Sequence, residues 1–148
     1  MKFGIRLIIK NELMHANSYG EPQSLRAGYG AVFVKSDAAG NVLPPIGSSW
    51  LIMGEAGDDL GLQGFGKLKV VDIINTLRDG IVSQTVIVEQ NQRIYYDGFF
   101  SRSYSGEMRA GDFQEYTKKI GDHFEQYIAA PLKAIGFKRE YFVWHEQK

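Results

Sequence analysis

Residues 54–67 form the stretch whose composition comes closest to a phosphate-binding loop. Its glycines and final lysine fit the G-x-x-x-x-G-K half of that motif, and a helix predicted to begin at residue 67 would direct its N-terminus at an anion. The next residue is Leu68, however, so the hydroxyl group that binds Mg²⁺ in such loops is missing. A glycine-rich loop leading into a helix is therefore the favoured interpretation. The residues of the alternative ligand site are Gly61, Gly64, Gly66 and Lys67.

An acidic cluster lies in the same loop. Glu55, Asp58 and Asp59 place negative charge where a phosphate would approach, which is a second argument against nucleotide binding. Carboxylates can hold a hard cation, but the cluster lacks the alternating Asp-x-Asp-x-Asp-Gly pattern and the distal Glu of a calcium loop. The structural interpretation is a solvated acidic loop, and the functional one is a surface complementary to a basic partner.

The segment 94–104 is the strongest candidate for a partner-binding surface. Five of its eleven residues are aromatic, Asp97 and Gly98 predict a turn, and Arg93 and Arg109 lie nearby in the sequence. Because only alternate residues of a strand point inward, each aromatic doublet should leave one ring outward. Exposed Tyr and Phe beside Arg are typical of interface hot spots; packing in the core and base stacking are the alternatives. The predicted partner-binding residues are Tyr95, Tyr96, Phe99, Phe100, Arg102 and Tyr104, with Glu55, Asp58 and Asp59.

The histidines do not predict a metal or catalytic site. His15, His123 and His145 are far apart in the sequence, and none has a second histidine three or four residues away. The chain has no cysteine, no H-x-T pair and no G-x-S-x-G nucleophile motif. We therefore predict structural histidines, no catalytic residues, no metal and no cofactor, although pairing of His15 with His145 in space is left open.

The overall composition limits the classes of partner. The 148 residues carry 17 basic and 17 acidic side chains, so a broad electrostatic footprint for nucleic acid is not expected. The sequence has no apolar run of signal-peptide or membrane-span length. We therefore expect a cytoplasmic protein that does not contact a membrane, and a single domain over residues 1–148.

Hydrophobic periodicity predicts the elements that position these residues. Period-two alternation and β-branched runs predict strands, whereas apolar spacings of three and four predict helices. The second helix begins with Asp112 as N-cap and Glu115 as its capping partner, is kinked or restarted by Pro131, and ends at Gly136. Residues 11–26 are predicted to be a long loop, and residues 90–91 the turn of a hairpin. The predicted strands are 1–10, 28–35, 49–53, 82–89, 93–96 and 139–145, and the predicted helices are 67–79 and 112–136.

These elements predict an α+β fold in the order β-β-β-α-β-β-α-β, with two helices packed on a mainly antiparallel sheet. The function predicted from the absence of catalytic motifs is a non-catalytic protein-binding module, such as an inhibitor or immunity-type protein that occludes a partner. The alternative is a small enzyme or a phosphate- or nucleotide-binding domain that uses residues 54–67. A homodimer formed through the aromatic segment is left open.

Overall fold

The computed structural model describes residues 1–16, 19–53, 68–95 and 109–146. Within these ranges the chain forms one six-stranded sheet with a joined helical unit packed on one face. The strands are β1 (Lys2–Ala16), β2 (Pro22–Ala39), β3 (Ser49–Trp50), β4 (Leu68–Arg78), β5 (Ile81–Tyr95) and β6 (Lys138–Glu146). The helical unit comprises α1 (Ala110–Phe124), a π-helical segment (Glu125–Ala129) and α2 (Ala130–Ala134).

The sheet is mixed rather than purely antiparallel. Its strand order is β3-β4-β5-β1-β2-β6. The central pair, β1 and β5, is parallel, whereas the other neighbouring pairs are antiparallel. A mainly antiparallel sheet with helical structure packed on it is therefore confirmed, but the sequence pattern did not predict the one parallel pair at its centre.

The predicted helix over residues 67–79 is wrong, because residues 68–78 form β4. The apolar residues of this segment fit a helical spacing by chance, but many are β-branched, and such side chains favour a pleated strand. Asp79 and Gly80, with φ angles of +52° and +76°, form the two-residue turn to β5. Positive φ at both central residues is characteristic of a type I′ hairpin turn, so Gly80 is a turn residue rather than a helix cap.

One predicted interruption is shorter in the structure, and another is absent. Residues 11–16 extend β1 and residues 22–26 begin β2, where a loop had been predicted. The predicted hairpin turn at Gln90 and Asn91 is also wrong, since β5 continues through both residues to pair with β1. The misleading residues are polar side chains that face the core: Asn11 and Gln90 are only 5% and 1% exposed.

The helical unit is confirmed in outline and corrected at its start. The N-cap is Arg109 rather than Asp112, which lies in the first turn of α1. The π-helical segment directly precedes the helical turn that contains Pro131. Proline has no N–H for the usual bond to the carbonyl four residues earlier, and a local change of helix type accommodates this loss. Gly136, with φ of +99°, lies just past the helical unit, as predicted.

The hydrophobic core lies between the helical unit and one face of the sheet. Alternate residues of β1, including Leu7 and Ile9, are buried there. Tyr116 of α1 is fully buried, and its hydroxyl donates a 2.6 Å hydrogen bond to the carbonyl oxygen of Ile94. This bond joins α1 to the end of β5. The opposite face of the sheet, called here the outer face, carries the side chains that alternate with the core residues.

Candidate binding groove on the outer face

A groove of about 670 Å³ crosses the outer face over four adjacent strands. The strands are β5, β1, β2 and β6, in that order. Since neighbouring strands lie roughly 4.8 Å apart, the groove spans about 14 Å across the sheet. We call it the outer-face groove, and the residues used to describe it below are Ile8, Lys10, Glu12, Arg26, Gly28, Gly30, Val32, Asn91, Arg93, Tyr141 and His145.

The strand register arranges these side chains in three rows across the sheet. Residues that pair in register lie side by side, and those on the outer face point the same way. The first row is Arg93, Glu12, Gly28 and His145; the second is Asn91, Lys10, Gly30 and Val143; the third is Glu89, Ile8, Val32 and Tyr141. In the second row, Gly30 therefore leaves an open channel between the side chains of β1 and those of β6.

The two glycines differ in what the fold requires of them. A Cβ atom on Gly28 would collide with the carbonyl oxygen of Asn11, so the close approach of β1 and β2 demands glycine there. A Cβ atom on Gly30 would lie 3.6 Å from Nε2 of His145 and 4.0 Å from Cε1 of Tyr141. These are ordinary van der Waals distances, so the fold has room for an alanine at position 30.

The charged lining of the groove is unbalanced towards positive. Three cationic side chains, Lys10, Arg26 and Arg93, face two carboxylates: Glu12 within the groove and Glu89 at its border. The ion pairs at its border are loose, with 3.7 Å between Lys10 Nζ and Glu89 Oε1 and 3.9 Å between Arg93 Nε and Glu12 Oε2. Exposed pairs of this kind stabilise a fold by less than about 1 kcal/mol, so these cations remain accessible to a ligand.

Arg26 is held in an unusual backbone conformation at one end of the groove. Its φ angle is +53°, a left-handed conformation that a residue other than glycine adopts only at some energetic cost. Its backbone N–H donates a 3.0 Å hydrogen bond to Oγ of Ser24. Arg26 is exposed and takes part in none of the ion pairs found among the described residues.

A buried polar contact joins β1 and β2 on the core side of the groove floor. Nδ2 of Asn11 donates a 2.6 Å hydrogen bond to the hydroxyl of Tyr29, which is 2% exposed. Burial raises the pKa of Tyr29 far above its usual value, and the bond from Asn11 opposes that shift only in part. The Tyr29 ring also packs edge-on against Phe124, with centroids 5.1 Å apart. The strand pair beneath the groove is thus fixed from the core side.

Of the predicted partner-binding residues, the structure describes only Tyr95. It lies at the end of β5, two residues beyond Arg93, and is 41% exposed. Because Ile94 is buried in the core, alternation places Arg93 and Tyr95 on the outer face. The other predicted residues lie outside the described ranges: Glu55, Asp58, Asp59, Tyr96, Phe99, Phe100, Arg102 and Tyr104 of the partner surface, and Gly61, Gly64, Gly66 and Lys67 of the alternative ligand site.

The three histidines do not come together. His15 pairs with Gln23 of β2, whereas His145 pairs with Gly28, five residues further along that strand, a separation of about 16 Å. His123 is on α1, where its ring lies 4.7 Å from that of Tyr127. Among the described residues, no group of three or more histidine or acidic side chains could hold a metal ion.

Sequence reasoning missed most of the groove. Lys10, Arg26 and Tyr141 have no distinctive motif, and they meet only through the pairing of β1, β2 and β6. The one available signal was the Gly28-x-Gly30 pair inside an apolar strand. Glycine in a strand interior often indicates a close approach of another backbone or of a ligand, and Gly28 is an example of the first.

Comparison with protein-family models, with curated proteins and with solved structures found no match to this chain. The search of the described residues found no helix of the length and apolar character needed to cross a membrane.

Proposed function

We propose that this chain is a non-catalytic protein-binding module that engages its partner through the outer face of the sheet. The observation that carries the proposal is the outer-face groove, whose borders combine exposed tyrosines with arginines. Tyr141 is 47% exposed at the β6 side, and Tyr95 with Arg93 lies at the β5 side. Tyrosine and arginine dominate the binding energy of protein interfaces.

The chemistry of the groove favours binding over catalysis. His145 and Glu12 lie in one row but on strands separated by β2, which places their Cα atoms about 10 Å apart. Glu12 instead faces Arg93 in the same row. A general base needs a partner or substrate proton within hydrogen-bond reach, and this arrangement brings no base to a nucleophile. Occlusion of a partner's surface, as in an inhibitor or immunity-type protein, requires only the exposed face.

Site-specific photo-cross-linking tests the proposal. Tyr141→p-benzoylphenylalanine places a cross-linker of similar shape on the outer face, and Tyr127→p-benzoylphenylalanine is the matched control, since Tyr127 is 39% exposed on the helical unit. Each variant is irradiated in a lysate of the organism that encodes the chain, and adducts are identified by mass spectrometry. We expect one discrete protein cross-linked from position 141 and not from position 127. No adduct from position 141, or the same adducts from both positions, would overturn the proposal.

The residues of the glycine-rich loop and of the aromatic segment beyond Tyr95 remain predictions. The contribution of the aromatic segment to binding is testable in the same experiment by adding Arg102→Ala to the Tyr141 variant. If the aromatic segment continues the surface beyond Tyr95, the yield of the adduct falls by about tenfold, because a truncated hot-spot arginine weakens binding by at least about 1.4 kcal/mol. An unchanged yield would confine the interface to the outer face.

A further inference from the structure

We infer that the outer-face groove accepts an acidic segment of the partner protein, with a carboxylate seated above Gly30. This inference rests on the proposed function and adds the chemistry of the partner. It follows from three properties of the groove that the fold alone does not require: an open channel at Gly30, an excess of positive charge, and a strained arginine at one end.

The open channel at Gly30 is the first property. An alanine would fit there at 3.6 Å from Nε2 of His145, and glycine in a strand interior destabilises by about 0.5–1 kcal/mol relative to alanine. The missing methyl group leaves the floor beside His145 and Tyr141 unfilled. A group inserted at this point would contact the backbone of β2 and lie against the histidine ring.

The charge around this point selects an anion. Lys10 is in register with Gly30 on one side, and Arg26 lies two residues before Gly28 on the same strand. Nε2 of His145 faces the same space. A carboxylate between these groups would accept hydrogen bonds from cationic donors, which are stronger than bonds between neutral groups.

The strained backbone of Arg26 also supports a binding site in the groove. A left-handed conformation at a residue other than glycine is retained where the surrounding structure holds it, and such residues cluster at binding sites. The backbone with φ of +53° belongs to an exposed cation that enters no ion pair among the described residues. Glycine would adopt this conformation without strain, so the backbone at this irregularity of β2 does not itself require an arginine.

A polypeptide fits the rest of the outer face better than a nucleic acid does. Glu12, Glu89 and Glu140 are spread across the same face, the last bonded to Arg6 at 2.9 Å. These carboxylates would repel a continuous line of phosphates, since nucleic-acid sites are strongly and broadly positive. A segment with single acidic side chains spaced along it would meet the cations and avoid the carboxylates.

Peptide binding monitored by NMR tests the inference. The probes are two short peptides that differ only in Glu or Gln between Gly-Ser spacers, titrated to low millimolar concentration into isotope-labelled full-length protein. We expect the Glu peptide to bind at least about tenfold more tightly than the Gln peptide, because charge-assisted bonds contribute about 1.5–3 kcal/mol. The amide shifts that change should be those of Lys10, Gly28 and Gly30. Equal binding of the two peptides, or binding of neither, would overturn the inference.

Matched variants show whether the groove is the binding site. Gly30→Ala and Arg26→Gln should each weaken the Glu peptide by about tenfold. On the helical unit, Gly121→Ala makes the same glycine-to-alanine change, and Lys133→Gln likewise replaces a cation with glutamine. A Cβ atom on Gly121 meets nothing within 4 Å, and both controls should leave binding unchanged. Equal loss in groove and control variants would also overturn the inference. If Tyr141 cross-links a discrete protein while the Glu peptide shows no preference, the proposed function stands and only the acidic partner is excluded.

Discussion

At Gly30 and Arg26, the residue that lines the groove is less favourable for the stability of the fold than another residue would be. Gly30 leaves unfilled a space that an alanine would occupy without collision, and Arg26 adopts a backbone conformation that suits glycine. Proteins commonly retain such unfavourable residues at functional sites. Both positions therefore make predictions about stability that are independent of any partner.

Gly30→Ala should stabilise the protein, whereas Gly28→Ala should destabilise it. We expect Gly30→Ala to raise the free energy of unfolding by about 0.5–1 kcal/mol. We expect Gly28→Ala to lower it by about 1–3 kcal/mol, because the new methyl group meets the carbonyl oxygen of Asn11. Urea denaturation of the two variants measures both values. A loss of stability in Gly30→Ala would show that the channel is required by the fold and would remove the argument for a ligand.

Arg26→Gly should raise the free energy of unfolding by about 1 kcal/mol, because glycine adopts a left-handed backbone without strain. The control is Arg78→Gly, which introduces glycine within β4 and should lower stability by about 0.5–1 kcal/mol. Thermal denaturation of the two variants should therefore shift Tm in opposite directions. If both shifts are downward and equal, the conformation at Arg26 is not strained.

Tyr29 predicts a specific loss of stability at alkaline pH. Burial raises the pKa of Tyr29 in the folded state, so the folded protein favours the neutral phenol. The contribution of this group to the stability of the folded state is therefore fully present below the pKa of unfolded tyrosine, about 10. Above that pH the unfolded tyrosine ionises first, and the free energy of unfolding declines. Tyr29→Phe should lower the free energy of unfolding at neutral pH by about 1–3 kcal/mol, since Asn11 loses its buried acceptor. It should also reduce the decline above pH 10. Equal decline in both proteins would exclude Tyr29 as its source.

At the scale of elements, the β4–β5 hairpin provides the sharpest test of the corrected fold. Asp79→Gly should leave the free energy of unfolding unchanged or slightly higher, because Asp79 has a φ of +52° in a two-residue turn. In the helix predicted from the sequence, the same substitution would lower the free energy of unfolding by about 0.3 kcal/mol, because aspartate is only slightly better than glycine as a helix former. Chemical denaturation distinguishes the hairpin turn from the helix, and a loss of stability in Asp79→Gly would favour the helix.

The elements that the sequence predicted well are those in which one periodicity dominates. The start of β1, the middle of β2 and the apolar stripe of α1 were placed correctly, because their alternating or three-and-four spacings match their burial. Prediction failed at Asn11 and Gln90, where polar side chains occupy core positions within long strands. It failed again over residues 67–79, where an exposed strand carries an apolar spacing that also fits a helix.

The candidate site could not be predicted for a different reason. Its rows depend on the register of four strands, two of them parallel neighbours brought together from opposite halves of the chain. Hydrophobic patterning determines which face a residue takes, but it does not determine which residues of distant strands lie side by side. Only Tyr95 was predicted as a partner-binding residue and is also placed on the outer face.

At the scale of the whole molecule, electrical neutrality hides a local imbalance. The 17 basic and 17 acidic side chains cancel overall, yet three cations face two carboxylates in and beside the outer-face groove. Neutral chains of this kind are not steered over long distances to a polyanion, and their charge acts at short range within a defined interface. Within the described residues, the molecule is thus a sheet with one helical unit packed on one face and the groove on the other.

The affinity of the cross-linked partner for three purified forms tests the central claim most directly. The forms are the natural chain, Gly30→Ala and the control Gly121→Ala, compared by calorimetry at one ionic strength. We expect Gly30→Ala to be more stable than the natural chain and yet to bind the partner about tenfold more weakly, while Gly121→Ala binds as the natural chain does. If Gly30→Ala binds the partner as tightly as the natural chain, the outer-face groove is not the binding site.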